Sequence, residues 1–215
     1  MSKTFSILTM LFIGLTIFSC RKDEAVDNEE QTTYSYLSES MKPYKFRTGS
    51  YWVFKNDTTG ILDSIVVTST ENNFVWSVPP VHGQPGSKDE FYKINLKSFT
   101  TSLTYNDYLT HYYIKRNGGG AYGQDGQPIF MADSDIGAVF NGMKIIAKFP
   151  TMTINSNIFK NVVETKITAS QQYQPNFSND TYLYFCDSIG LIKKVTDFGG
   201  GNVESWSIER WAVMK

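Results

Sequence analysis

The chain is 215 residues long, with 20 basic and 21 acidic residues and a formal net charge of −1. That balance leaves no basic excess to neutralise a phosphate backbone, which sets nucleic acid aside as a partner. Two cysteines, Cys20 and Cys186, and two histidines, His82 and His111, give few soft ligands for a metal, and no C-x-x-C or H-x-x-x-H spacing occurs.

Residues 2–20 read SKTFSILTMLFIGLTIFSC. Lys3 is followed by an apolar run from Phe5 to Phe18 that is shorter than the about 20 residues of a transmembrane helix and is interrupted by Ser6, Thr9, Gly14 and Thr16. This pattern predicts an export signal over residues 1–19. Ile17-Phe18-Ser19-Cys20 resembles a bacterial lipobox, which implies cleavage before Cys20 and acylation of that cysteine with palmitate-type chains. The membrane is then a partner through the lipid anchor, and Cys186 is left without a disulfide partner. Residues 20–33 are acidic and almost free of apolar side chains, so they are expected to form a flexible tether. Lys22-Asp23-Glu24 resembles the surface-export signal of Bacteroidetes-type lipoproteins, which implies an outer-membrane location on the outer face.

Residues 34–215 are expected to form a single domain. One helical turn is predicted around Leu37-Ser38-Glu39-Ser40-Met41, ending before Pro43. Beyond it the apolar period becomes two, with strands predicted at 51–55, 61–68, 74–78, 91–97 and 108–116, then 128–131, 143–149, 158–168, 181–187, 191–195 and 203–213. Asp57-Thr58-Thr59-Gly60 supplies the turn of a first hairpin. In the last strand Trp206 and Ile208 share one parity while Trp211 and Val213 take the other, which predicts a β-bulge near Glu209-Arg210. The expected fold is all-β: an antiparallel, strongly twisted meander of about ten strands curling into a barrel or half-barrel, with a two-sheet sandwich as the alternative. Trp52, Phe54, Ile94, Leu96, Phe185, Leu191, Trp206 and Ile208 are the expected core.

Two segments carry a family resemblance. Residues 44–54, YKFRTGSYWVF, and 184–194, YFCDSIGLIKK, are similar to the opening and near-closing segments of uncharacterised Bacteroidetes-type lipoproteins with a soluble β-rich domain. Ser188 stands where a glycine is usual in the second segment. The resemblance implies fold class and address, and no activity.

Candidate chemistry is sparse. Gly118 to Gly123 satisfies G-x-G-x-x-G but is followed by Gln124-Asp125-Gly126-Gln127-Pro128, which cannot open the helix that receives a pyrophosphate, so a glycine-rich hairpin loop over 117–126 is expected. Asp133-Ser134-Asp135 lacks the bidentate Glu of a calcium loop and reads as a turn. Cys186, between aromatic and aliphatic neighbours, reads as a small buried hydrophobe. No cofactor and no metal is expected, and no catalytic constellation points to an enzyme. Asp57-Thr58, Asp63-Ser64 and Asp187-Ser188 resemble O-glycosylation sites of Bacteroidetes-type envelope proteins, with Thr58 the one expected to be accessible. Aromatic residues make up 15% of the chain. Tyr108, Tyr112 and Tyr122 are the candidate ligand contacts, two rings on a strand face with a third closing from the loop. The expected function is non-enzymatic binding of a glycan or apolar small molecule; the alternative is a structural or adhesive surface module that holds another envelope protein through a sheet edge.

Overall fold

The computed structural model describes residues 32–81, 84–98, 111–115, 120–122, 128–168 and 179–215. Its thirteen strands form one sheet. β1 spans Thr33–Ser35, β2 Tyr51–Asn56, β3 Leu62–Val78 and β4 Ser87–Ser98. β5 is His111–Lys115, β6 Gly120–Tyr122 and β7 Pro128–Met131. β8 is Val139–Phe140, β9 Met143–Ile154 and β10 Asn157–Ile167. β11 is Asp180–Cys186, β12 Gly190–Asp197 and β13 Val203–Ala212.

The strand order, β7-β6-β5-β4-β3-β2-β13-β12-β11-β10-β9-β8, is two antiparallel meanders that meet where β2 pairs with β13. Because β7 and β8 sit at opposite ends of this path but are joined by residues 132–138 alone, the sheet must curl until its ends approach. A half-barrel results, as expected from short turns between consecutive strands and the burial of edges by closure. Strands outnumber the expected ten because β1, β6 and β8 have only two or three residues, too few to show a period. β1 is also the exception to antiparallel pairing: it runs parallel to β4, opposite Ser87–Asp89, in the row that β5 occupies farther along.

Turn chemistry sets the hairpins. Asn141 and Gly142 at φ 44° and 85°, and Asn155 and Ser156 at φ 47° and 68°, turn the chain between β8 and β9 and between β9 and β10. Their left-handed backbone matches strand twist. At the β2–β3 turn the Asn56 side-chain carbonyl accepts from the amides of Thr58 and Thr59 at 3.0 and 2.9 Å.

The core lies inside the curl. Trp52, Phe54, Ile94, Phe185, Trp206 and Ile208 are buried as expected, and Leu96 and Leu191 are half-buried at its margin. The β2–β13 register shifts between Ile208 and Arg210, so the parity change in the sequence is a bulge, and Trp211 comes opposite Trp52. Rings fill the volume: Phe130 stacks on Phe185 at 4.6 Å, and Phe46 meets Trp52 edge-on at 5.1 Å. Each such ring contributes roughly 1.5–3 kcal/mol through burial.

Two local expectations are corrected. The helical turn does not end before Pro43: a 3-10 turn spans Lys42–Tyr44 and contains it. A proline is tolerated at the start of a helix, where its missing N–H has no partner to lose. The segment packs into the core, with Leu37, Met41, Tyr44 and Phe46 all buried. The strands expected at 61–68 and 74–78 are one continuous strand, β3, of 17 residues. Glu71, Asn72 and Asn73, weak strand formers, are held by the ladder to Lys93, Tyr92 and Phe91.

Candidate functional site

Several sequence candidates fall outside the described residues: Cys20, Tyr108 and His82 are among them. Tyr112 and Tyr122 are placed by backbone register alone. Tyr112 stands opposite Ile94 on β4, and Tyr122 stands opposite Tyr113 rather than Tyr112. His111 stands opposite Asn95. The expected glycine loop is corrected in part, since Gly120–Tyr122 forms β6 and pairs with β5 and β7.

The other candidates resolve into structural roles. Asp133 accepts from the Ser38 hydroxyl at 3.1 Å at a turn. No group of three His, Cys, Asp or Glu able to hold a metal ion occurs among the described residues. Cys186 is 2% exposed, its thiol donates to the Lys160 carbonyl at 3.1 Å, and burial pushes its pKa up to about 11. Asp63 is buried within β3 and accepts from the Ser98 hydroxyl, whereas Thr58 is exposed. Ser188 is exposed too, at a turn with φ 65°, so Thr58 is not the sole accessible hydroxyl of the three Asp-Ser/Thr pairs.

The interior is packed with aromatic and aliphatic side chains. Its apolar void, between Phe46, Trp52, Phe54 and Phe185, measures about 30 Å³, against roughly 300–1,000 Å³ for small-molecule sites. A 460 Å³ cleft at Tyr44 and Asp187 is tied internally, with Asp187 accepting from the Tyr44 hydroxyl and the Asn161 amide, both at 3.0 Å.

What stands out lies on the far half of β3. β2 pairs with β3 only from Leu62 to Val66, and β4 pairs with it as far as Val78. Gly49 donates to the Val67 carbonyl and Val67 donates to that of Ser50, the last backbone contacts on the β2 side. From Ser69 to Val78, among the described residues, β3 has a ladder partner in β4 alone. Here Phe74, Val75, Trp76 and Val78 are all exposed, as are Tyr34 and Tyr36 beside them. Tyr34 and Tyr36 meet the Phe74 ring edge-on at 5.2 and 5.4 Å, and the Lys88 ammonium lies 4.3 Å from the Trp76 ring centre. Edge strands are ordinarily protected by charge, proline, bulges or shortness. Residues 69–78, STENNFVWSV, contain neither lysine nor proline, and their protection is limited to Glu71 and to register shifts at the two ends, between Val67 and Ser69 and between Trp76 and Val78.

Alongside this edge is an open cleft of about 650 Å³ floored by Thr70, Asn72 and Tyr92 and walled by Lys42, Lys45, Arg47, Thr48 and Lys215. No side-chain carboxylate lines it. Lys45 is neutralised from behind by Glu90 at 2.7 Å. Burial works against the Glu90 charge, yet the Lys45 ammonium and the Leu37 N–H hold its carboxyl below the usual range. Lys42 pairs with Glu39, whose side chain is 88% exposed, so solvent screens that pair. The Lys215 ammonium donates to the Pro43 carbonyl and lies 4.2 Å from the Phe46 ring centre. Burial lowers its pKa to about 8, against the pull of Asp187.

The fold therefore defines an all-β protein built from a single curled sheet. No protein-family model matches the chain, and no curated protein matches it. Among solved structures it is similar to a candidate lipoprotein from Parabacteroides distasonis, at 12% identity and a TM-score of 0.40, over 78% of this chain and 98% of that one.

Proposed function

We propose that this is a non-enzymatic, lipid-anchored envelope protein whose domain is a docking module that takes an extended segment of another protein along the free edge of β3. The observation that carries this is the ten-residue edge Ser69–Val78, one-sided in its pairing and lined by exposed Phe74, Val75, Trp76 and Val78. A strand added there would satisfy backbone N–H and C=O groups that have no ladder partner on that side among the described residues, and would cover apolar surface on both faces of the hairpin. Of the two functions the sequence raised, this geometry favours the module, because the aromatic-lined void among the described residues measures only about 30 Å³ while the β3 edge is open to a partner. The anchor rests on the lipobox-like Ile17-Phe18-Ser19-Cys20, and the outer-membrane address on Lys22-Asp23-Glu24.

Two measurements test the reading. Membrane fractionation and intact mass of a Cys20→Ala variant should show loss of acyl mass and release from the membrane; unchanged mass and retention sink the anchor. Titrating the protein with an eight-residue peptide of alternating Val and Thr should slow amide hydrogen exchange within residues 69–78 and leave β12, paired on both sides, unaffected. No added protection along β3 removes the docking edge.

A further inference from the structure

We infer that the segment docked on β3 is acidic, with carboxylates on alternate residues projecting into the cleft of Lys42, Arg47 and Lys215. This rests on the docking reading above and names the class of partner. β2 begins at Tyr51 and the chain ahead of it turns away from β3 at Gly49, so Thr48 and Arg47 stand just beyond the last backbone contact on that side. An incoming strand that continues the row vacated by β2 must pass beside them. Thr70 and Asn72, two residues apart on β3, both line the cleft. Alternate side chains of the added strand share that face, because side chains in a strand repeat every two residues.

The charged side chains that line that face are of one sign. Arg47 makes no side-chain hydrogen bond or ion pair among the described residues, and its exposed guanidinium can receive a carboxylate through two parallel N–H groups. Among the described residues Lys42 makes an ion pair with the exposed Glu39 and feels Glu90 at longer range, and Lys215 contacts a carbonyl and a ring while Asp187 acts on it at longer range, so neither ammonium is held by a buried carboxylate. The single charge on the edge itself, Glu71, is occupied by Lys93 at 3.5 Å. A second copy of this chain pairing β3 to β3 would bring only another Glu71 and would leave the cations uncovered, so charge complementarity favours an acidic partner over self-association.

Three eight-residue probes separate the possibilities: alternating Val and Glu, alternating Val and Thr, and alternating Val and Lys. The protein should bind the Glu peptide at least about tenfold more tightly than the Thr peptide at low salt, and the Lys peptide more weakly than either. In an Arg47→Gln and Lys42→Gln double variant the Glu preference should collapse to within about twofold while Thr-peptide binding persists. Arg47→Lys should retain the preference. Equal affinity for all three peptides, with protection along β3 intact, overturns the acidic partner and spares the docking edge. Protection along β3 in none of them overturns both. Concentration-dependent dimerisation with β3 protected in the absence of peptide overturns the acidic partner in favour of a second copy.

Discussion

The hydroxyl of Thr165 on β10 lies 3.2 Å from the carbonyl oxygen of Ile129 on β7, joining two strands that the sheet order places near opposite ends. Thr165 is fully buried, and its hydroxyl also faces the Leu183 carbonyl at 3.4 Å. No ladder joins β7 to β10, so this side chain closes the curl where backbone pairing does not. Replacing it with Val keeps the shape and removes the donor. Thr165→Val should lower stability by about 1–2 kcal/mol, read as a lower urea midpoint with an unchanged m-value. An unchanged midpoint means the closure does not depend on this bond.

Gly190 opens β12 at φ +92°, and a Cβ built there would lie 3.0 Å from two carbons of the Phe46 ring. Phe46 is 1% exposed and is held edge-on by Trp52, so the ring has little room to yield. Gly190→Ala should therefore cost roughly 2–4 kcal/mol, combining backbone strain with overpacking. Gly199 is the control, because at φ +81° a Cβ meets nothing within 4 Å. Gly199→Ala should cost only the backbone part, roughly 1–2 kcal/mol. Equal losses in thermal melts of the two variants would show that the Phe46 contact contributes nothing.

Much of the fold was legible in the sequence because it is written locally. Alternation at Tyr92, Ile94 and Leu96 gave β4, and the parity change between Ile208 and Trp211 gave the bulge before any partner strand was known. The hairpin at Asn141-Gly142 was not anticipated, because the strand ahead of it, Val139–Phe140, has only two residues and shows no period. The site was not legible, since it depends on relations between distant segments. The free edge exists because β2 has 6 residues and β3 has 17, and no window of sequence compares the two. The cationic cleft gathers Lys42, Arg47 and Lys215, the last brought back by β13 from the far end of the chain. The aromatic candidates in the sequence were Tyr108, Tyr112 and Tyr122, whereas the exposed cluster forms at Tyr34, Tyr36, Phe74 and Trp76, where β1 lies beside the end of β4.

Lys194 provides a pH-dependent test of the interior. It stands on β12 between Leu183 and Trp206, is 4% exposed, and shares strand parity with the buried Ile192. Burial lowers its pKa to about 8, with Glu204 pulling the other way. In the unfolded chain the amine titrates near 10.4. Between those values the unfolded state binds more protons than the folded one, so stability rises with pH. The cost of burying the ammonium is thus fully present at pH 7 and is relieved as pH climbs from about 8 towards 10.5, a swing of roughly 3 kcal/mol. Tyr184 and Cys186, whose pKa values burial raises, act in the opposite direction at alkaline pH, so the comparison must be a difference between two proteins that share them. Lys194→Met removes the titrating group and keeps an unbranched apolar stem. Urea midpoints for the parent and this variant should place the variant ahead at pH 7, with the gap moving in favour of the parent by pH 10.5. Parallel pH profiles would mean that Lys194 keeps an ordinary pKa in the folded protein.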